Sequence, residues 1–455
     1  MRLWNYLRET MLKHPSQTVC EDNAEMTYEE LVAFSEMFAK KLKGEKCCVI
    51  LCAHEMAVAM AVLSCVAAGV TAVPLSVRYG EAHCKKILRM INPTSIITDA
   101  EGELKIIFFN GAEYVEPEQH PAFIMCTSGT SGKPKGVMLS EQNFLTNIHD
   151  IDLYLGMDDS DYILISRPLY HCAVLTGEFL TSLVKGVKIR FYSDKFNPKI
   201  LLDLIAEHNI TVFCGTPTLL GMMARFKRDR TGCSLKTICI SGECLSQDTA
   251  KYIAEVFDNA EIYHVYGLTE ACPRVCYLPP YLFNKCAPSV GIPLESVSLK
   301  IVTFNGTIAA PGEEGVLWVS GKNVMIGYYN EIVQTKKVID EGWLCTGDIA
   351  VTDDNGLLYI KGRSDDMIIR AGMNIYPQEI ECTLKADYRV RDVYVYKVED
   401  PYVGNKIAMK ISGEFSDVDE VKQLCNKMLP FFQVPAYIEL CNELPRNGSG
   451  KIIRS

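Results

Sequence analysis

Short apolar, β-branched runs recur along the chain, separated by segments whose apolar positions repeat every three or four residues. The runs at 47–52, 95–98, 122–127, 162–166, 187–192, 211–214, 237–241 and 260–266 read as strands, and 198–208 and 247–257 as helices. Strands that alternate with helices predict an α/β fold built on layered, largely parallel sheets. One stretch needs separate treatment, because no charge occurs from Ala57 to Val77 and that length would span a bilayer. Ser64, Gly69, Thr71 and Pro74 interrupt it, so it predicts a small-residue helix to about Ala68, a left-handed cap at Gly69 and a buried strand over 70–75. No membrane span is expected.

From about Ala287 the texture changes to short strands separated by Gly306, Pro311-Gly312 and Asn355-Gly356. That pattern predicts a small barrel-like β subdomain over 287–364. A second boundary falls near 363–366. Beyond it come helical patterns at 376–385 and 417–428, a Val/Tyr strand at 392–398 and a Gly-rich tail. The expected division is therefore an N-terminal core, 1–364, and a smaller α+β C-terminal domain, 365–455.

Composition narrows the chemistry. With 455 residues the chain exceeds what one hydrophobic core usually supports. Lys and Arg number 46 against 56 Asp and Glu, a balance of −10 that argues against nucleic acid as the main ligand. There are 19 cysteines, but no C-x-x-C pair frames a zinc site. Reduced thiols and an N-terminus without a secretory pattern predict a cytoplasmic protein.

The sharpest local feature is Thr127-Ser128-Gly129-Thr130-Ser131-Gly132-Lys133-Pro134-Lys135-Gly136, which follows a predicted strand. Its glycines allow backbone N–H groups to turn inward, while its hydroxyls and lysines add donors and positive charge. Such a loop can wrap a polyphosphate. It is neither a Walker A loop nor G-x-G-x-x-G, and taken alone it reads equally well as a solvated turn. Tyr266-Gly267-Leu268-Thr269-Glu270 closes another predicted strand. A carboxylate there can hold Mg²⁺ against phosphate oxygens, although Glu after Thr is also an ordinary helix start. Thr346-Gly347-Asp348 and Lys361-Gly362-Arg363-Ser364-Asp365 offer an acceptor and a cation suited to a ribose. Pro445-Arg446-Asn447-Gly448-Ser449-Gly450-Lys451 by itself reads as a mobile tail. Arg274, just past Glu270, reads as an exposed cation without a role.

Taken together and in this order, these segments resemble the adenylate-forming acyl-CoA synthetase superfamily of acyl/aryl-CoA ligases and stand-alone adenylation domains. The resemblance covers nearly the whole chain. It implies a five-layered α/β core with a small β-barrel and a mobile C-terminal lid that rotates between two half-reactions. First a carboxylic acid attacks ATP to give acyl-AMP and pyrophosphate; then a thiol displaces AMP to give a thioester. The resemblance implies ATP and Mg²⁺ as cofactors. It implies CoA as the favoured thiol acceptor, with a carrier-protein phosphopantetheine as the alternative.

Carried over by motif, Thr127, Ser128, Gly129, Thr130, Ser131, Gly132, Lys133 and Lys135 would cradle the phosphates. Glu270 would hold the metal and Thr269 would touch the α-phosphate. Tyr266 and Gly267 would border the adenine, with Ser241, Gly242 and Glu243 on its other side. Asp348 and Arg363 would bind the ribose near Ile360, and Asp365 would be the hinge. Lys451 would stabilise charge in the adenylation transition state. The stretch 370–381, with Gly372, would wall the pantetheine tunnel.

On the acid side, His171 in Pro168-Leu169-Tyr170-His171 would line or gate the pocket. Ala173 stands where amino-acid-activating relatives carry an Asp. A buried ammonium without a partner is costly, so the expected partner is a carboxylic acid with no α-amino group. The chain departs from the pattern by ending four residues after Lys451 and by a short segment between Asp99 and His120.

Overall fold

The computed structural model describes residues 2–100, 103–109, 111–128, 134–194, 196–227, 233–370, 373–400, 404–446 and 452. A nine-stranded sheet has the order Ile292–Pro293, Arg274–Leu278, Glu261–Gly267, Thr237–Ile240, Val212–Gly215, Tyr162–Ile165, Lys188–Phe191, Thr18–Glu21, Ala24–Thr27. From Thr18–Glu21 through Glu261–Gly267 its neighbours run parallel. A seven-stranded sheet has the order Gly327–Tyr328, Pro134–Leu139, Phe123–Ser128, Thr71–Pro74, Cys47–Leu51, Ser95–Ala100, Glu103–Phe108.

Alternation along each strand sorts the core into layers, because successive side chains point to opposite faces. In the first sheet Ile163, Ile165, Val212, Cys214 and Cys239 face the central core, while Leu164, Phe213, Ile238 and Ile240 face a second cluster. That second cluster is closed by the helices Pro198–Glu207, Pro217–Phe226 and Gln247–Val256. In the other sheet Cys48, Ile50, Phe123 and Met125 face the same central core, whereas Cys47, Val49 and Ile124 meet the helix Glu81–Ile91 outside. The central layer holds Leu3–Met11, Tyr28–Ala39, Glu55–Ala68 and Glu141–Tyr154. Helices, sheet, helices, sheet, helix make the five layers expected from the resemblance.

The uncharged stretch resolves as predicted. Glu55–Ala68 is a helix apolar all round, as a helix packed between two sheets must be. Gly69 caps it at φ +69, and Thr71–Pro74 is a fully buried strand. Among the described residues no helix is long and apolar enough to cross a membrane. None of the cysteines forms a disulfide.

Past residue 290 the chain builds an antiparallel sheet of Val297–Val302, Gly315–Gly321, Trp343–Thr352 and Ile339–Asp340, with Leu358–Arg363 paired on Trp343–Thr352. The C-terminal residues have their own core. The hairpin Ile368–Arg370/Met373–Ile375, the helices Pro377–Lys385 and Val418–Met428, and the strands Val390–Asp400, Gly404–Gly413 and Tyr437–Leu440 close around Ile380, Val393, Ile407 and Val421. Polar contacts join this unit to the rest. Tyr376 Oη donates to Glu314 Oε2 at 2.6 Å, Lys361 Nζ meets Glu379 Oε1 at 3.0 Å, and Arg225 Nη1 donates to the Tyr388 carbonyl at 3.2 Å.

Candidate active site

In a parallel sheet the carboxyl ends of the strands share one edge, where loops from distant segments meet. Here that edge brings together Arg167 and Pro168 after Tyr162–Ile165, Thr216 after Val212–Gly215, Ser241 after Thr237–Ile240, and Tyr266 at the end of Glu261–Gly267. Ser241 is buried, and its N–H donates to the Gly215 carbonyl at 3.0 Å. Gly242 follows at φ +89, a left-handed turn suited to glycine. The Glu243 carboxylate accepts from the Thr218 N–H at 3.2 Å and from its hydroxyl, so it turns toward the start of the helix Pro217–Phe226.

Across this edge the antiparallel sheet presents Thr346-Gly347-Asp348. The Thr346 hydroxyl donates to the Leu317 carbonyl at 2.8 Å and accepts the Asp348 N–H at 3.0 Å. Gly347 stands at φ +74, and a Cβ there would come within 2.9 Å of Arg363 Nη2. Each residue of the T-G-D motif therefore has a local reason. Asp348 pairs with Arg363 in register across the strands, at 3.1 Å from Oδ1 to Nη1, and Arg363 Nη1 also donates to the Thr346 carbonyl at 2.8 Å. Tyr266 Oη donates to Asp348 Oδ2. Burial pushes the Asp348 carboxyl up, and Arg363 opposes that shift. Burial, reinforced by Asp348, raises the Tyr266 hydroxyl. Ile360, also on Leu358–Arg363, is partly buried against the central core, as is Tyr266.

The strands that flank the hydroxyl-rich segment belong to the other sheet. Thr127 and Lys135 are cross-strand partners on Phe123–Ser128 and Pro134–Leu139. Lys135 Nζ lies 5.0 Å from the centre of the Tyr328 ring, and Tyr328 Oη donates to Glu270 Oε1 at 2.9 Å. The Glu270 carbonyl accepts the Met325 N–H at 2.8 Å, which ties the short helix Thr269–Ala271 to the turn leading into Gly327–Tyr328. Tyr328 is the joint the sequence does not advertise. It lies far along the chain from both partners, and nothing in Gly327-Tyr328-Tyr329 marks it.

His171 begins the short helix Cys172–Val174, its ring 4.4 Å from Tyr170. Ala173 sits on that helix, half-buried. The segment is held from below, because Glu55 Oε2 accepts the Leu169 N–H at 2.9 Å. Burial pushes the Glu55 carboxyl up to about 7, against the Leu169 bond that lowers it. Asp365 is exposed in the turn between Leu358–Arg363 and Ile368–Arg370. Residues 129–133, Gly372 and Lys451, and the Ser128 side chain, lie outside the described residues.

Arg274 corrects the sequence reading. It is 2 % exposed, with its backbone N–H on Asn147 Oδ1 at 3.1 Å and its carbonyl accepting from Asn147 and Asn323. An arginine in an otherwise apolar strand looks exposed until a buried partner is known. Here Glu178, fully buried in the segment Leu175–Leu180, lies in the same interior.

Among the described residues no cluster of three His, Cys, Asp or Glu side chains could cage a metal by itself. Glu270 is one half-buried carboxylate held by Tyr328, whose ring lies under the Lys135 ammonium. That donor set suits Mg²⁺, which keeps most of its shell as water and phosphate oxygens.

A feruloyl-CoA synthase of an Amycolatopsis species is 32% identical over 337 residues, covering 73% of this chain and 68% of the relative. A 2-succinylbenzoate–CoA ligase of Bacillus velezensis is 30% identical over 95% of this chain and 93% of its own. The O-succinylbenzoate coenzyme A synthetase of Bacillus subtilis in complex with ATP and magnesium superimposes with a TM-score of 0.87 at 28% identity, over 98% of each chain. A double mutant of that synthetase bound to its product analogue gives 0.72 at 27% identity, over 99% of this chain and 97% of its own. The AMP-binding enzyme family matches residues 7–329, and the chain belongs to it.

Proposed function

We propose that this protein is an ATP-dependent acid–thiol ligase that joins a carboxylic acid to coenzyme A through an acyl-AMP intermediate. The observation that carries the reading is the convergence of five remote segments. Lys135, Tyr328 and Glu270 form one side, and Tyr266, Asp348 and Arg363 the other. The relatives named above take coenzyme A as acceptor, which favours it over a carrier-protein phosphopantetheine.

In this reading the Asp348 carboxylate, held by Arg363 and Tyr266, accepts the ribose hydroxyls. The Tyr266 ring, fixed at its hydroxyl, borders the adenine opposite Ser241, Gly242 and Glu243. Thr127, the glycine- and hydroxyl-rich residues after it and Lys135 hold the phosphates. Glu270 would hold Mg²⁺, which neutralises phosphate charge when bound. Thr269 donates to the α-phosphate. A carboxylate meets a polyanion slowly, so the barrier is mostly electrostatic and Lys451 lowers it where charge builds. His171 and Ala173 border the acid.

We read 1–364 as the adenylating core and 365–455 as a lid turning at Asp365. Polar contacts such as Tyr376–Glu314 and Lys361–Glu379 suit a surface that must part. The closer superposition on the ATP-bound synthetase than on the product-analogue complex supports the arrangement of the first half-reaction. Gly372 would then reach the thiol tunnel only after rotation.

The test is acid-dependent pyrophosphate release from ATP, followed by thioester formation when coenzyme A is added. Pyrophosphate release with no thioester from coenzyme A, but acylation of a holo-carrier protein, would reassign the acceptor. No acid-dependent release at all would refute the ligase reading.

A further inference from the structure

A cleft lies between the C-terminal unit and the N-terminal core, and two thiols meet in it. On the core side it is lined by Cys244, just past Ser241-Gly242-Glu243, and by Arg225 on the helix Pro217–Phe226. On the other side it is lined by Cys382 and Lys385, both on the helix Pro377–Lys385, and by Arg391. The Cys382 thiol donates a hydrogen bond to the Cys244 sulfur. The Glu243 carboxylate, bonded to Thr218, holds the loop just ahead of Cys244 in place.

Cys244 differs from the other thiols of the chain. Among the 19 cysteines it alone is exposed. Cys214 and Cys239 are also bonded to each other, but both are buried inside the core, away from a dissolved oxidant. The bond from Cys382 draws the Cys244 thiol below its ordinary value; loss of water around its sulfur, Glu379 and Glu381 oppose that shift, and Lys385 assists it. The same bond, with burial, raises Cys382. An accessible, acidified thiol beside a second one is the arrangement of an attacking sulfur and a resolving sulfur.

We propose that Cys244 and Cys382 are a redox-modification site, at which hydrogen peroxide forms a disulfide that locks the C-terminal lid to the core in the adenylating arrangement. The lock rests on the acid–CoA ligase reading and on a lid that turns at Asp365. The Cys244 thiolate attacks one peroxide oxygen, giving a sulfenic acid and hydroxide, and the hydroxide takes the proton that the thiol released. The Cys382 sulfur then attacks the sulfenic sulfur, and its proton leaves with the hydroxyl as a second water. Two thiols are oxidised to one disulfide, and one peroxide is reduced to two waters. Cys382 belongs to 365–455 and Cys244 to 1–364, so the bond crosses the surface that must part. Acyl-AMP still forms, whereas the rotation that admits the thiol is blocked.

The full chain is reduced, freed of reductant and exposed to hydrogen peroxide, and the remaining thiols are capped with N-ethylmaleimide before digestion and mass spectrometry. A peptide pair joined through Cys244 and Cys382 is expected, absent from the reduced control and cleaved by dithiothreitol. Single-turnover assays then follow each half-reaction, on a timescale shorter than uncatalysed disulfide exchange with coenzyme A. Oxidation is expected to slow thioester formation by roughly 10-fold or more while pyrophosphate release stays within about twofold, since only the second step needs the lid to turn. Dithiothreitol is expected to restore the rate. Cys382→Ser is expected to keep both half-reactions and lose the response to peroxide, its Cys244 sulfenic acid being trapped by dimedone. Absence of the joined peptides, unslowed thioester formation in the joined protein, or equal slowing of both half-reactions would overturn the lock and leave the ligase reading intact. No acid-dependent pyrophosphate release from the reduced protein would overturn the ligase reading, and the block of thiolation with it.

Discussion

Tyr266 and Asp348, from two different sheets, meet through a hydrogen bond from the phenol to the carboxylate. Arg363 takes the other oxygen of the same carboxylate at 3.1 Å. This seam fixes the proposed ribose acceptor before any nucleotide arrives, so little reorganisation accompanies binding.

Asp348→Asn keeps the shape but removes the charge. A hydrogen bond to a charged group contributes about 1.5–3 kcal/mol, so the KM for ATP is expected to rise roughly 10- to 100-fold. Acid KM should change little. Steady-state kinetics with each substrate varied checks the split, and an unchanged ATP KM would remove Asp348 from the ribose site.

Tyr328→Phe frees the Glu270 carboxylate of its phenol donor. One neutral-to-charged bond lost at the metal side predicts an altered Mg²⁺ requirement, with the half-saturating Mg²⁺ concentration moving by about threefold to tenfold. Glu270→Gln should weaken Mg²⁺-dependent ATP binding far more. Titrating Mg²⁺ at fixed ATP reads both, and identical Mg²⁺ curves for wild type and Glu270→Gln would refute the metal assignment.

Lys451→Ala is expected to slow adenylation by roughly 10²–10³, the usual loss for one cation at developing charge. Conversion of supplied acyl-AMP and coenzyme A to thioester should survive. Single-turnover assays of each half-reaction separate the two, and equal loss of both would contradict the role.

Glu55 gives a pH signature. Its folded carboxyl is pushed up to about 7, from an ordinary value of 4.5, chiefly by burial. Between those values the folded protein holds a proton that the unfolded chain releases, so stability falls as pH rises through this window. The loss is at most about 3 kcal/mol. Glu55→Gln keeps an acceptor for the Leu169 N–H and should flatten the slope. Denaturant midpoints from pH 4.5 to 7.5 test this, and parallel slopes for both proteins would refute it.

Local patterns carried much of the architecture. The β-branched runs became strands close to their predicted bounds, and Gly69 ended its helix at positive φ, because burial on both faces and the demands of a left-handed cap act within a few residues. The glycine-bearing motifs were legible for the same reason: Gly347 stands at φ +74, a left-handed conformation that favours glycine. Long-range pairings were not legible. Tyr328 reaches Glu270 only because Gly327–Tyr328 pairs with Pro134–Leu139, a register no local pattern encodes. Arg274 looked exposed because the carboxylate sharing its interior, Glu178, stands 96 residues earlier in the chain.

The most direct test of the central claim omits the thiol. Purified protein, ATP, Mg²⁺ and a panel of mono- and dicarboxylic acids are incubated without coenzyme A, and the bound products are identified by mass spectrometry. The account predicts a mixed anhydride of one acid with AMP, released pyrophosphate in equal amount, and loss of both in Lys451→Ala. ATP left intact with every acid, or cleaved to ADP and phosphate, would contradict it.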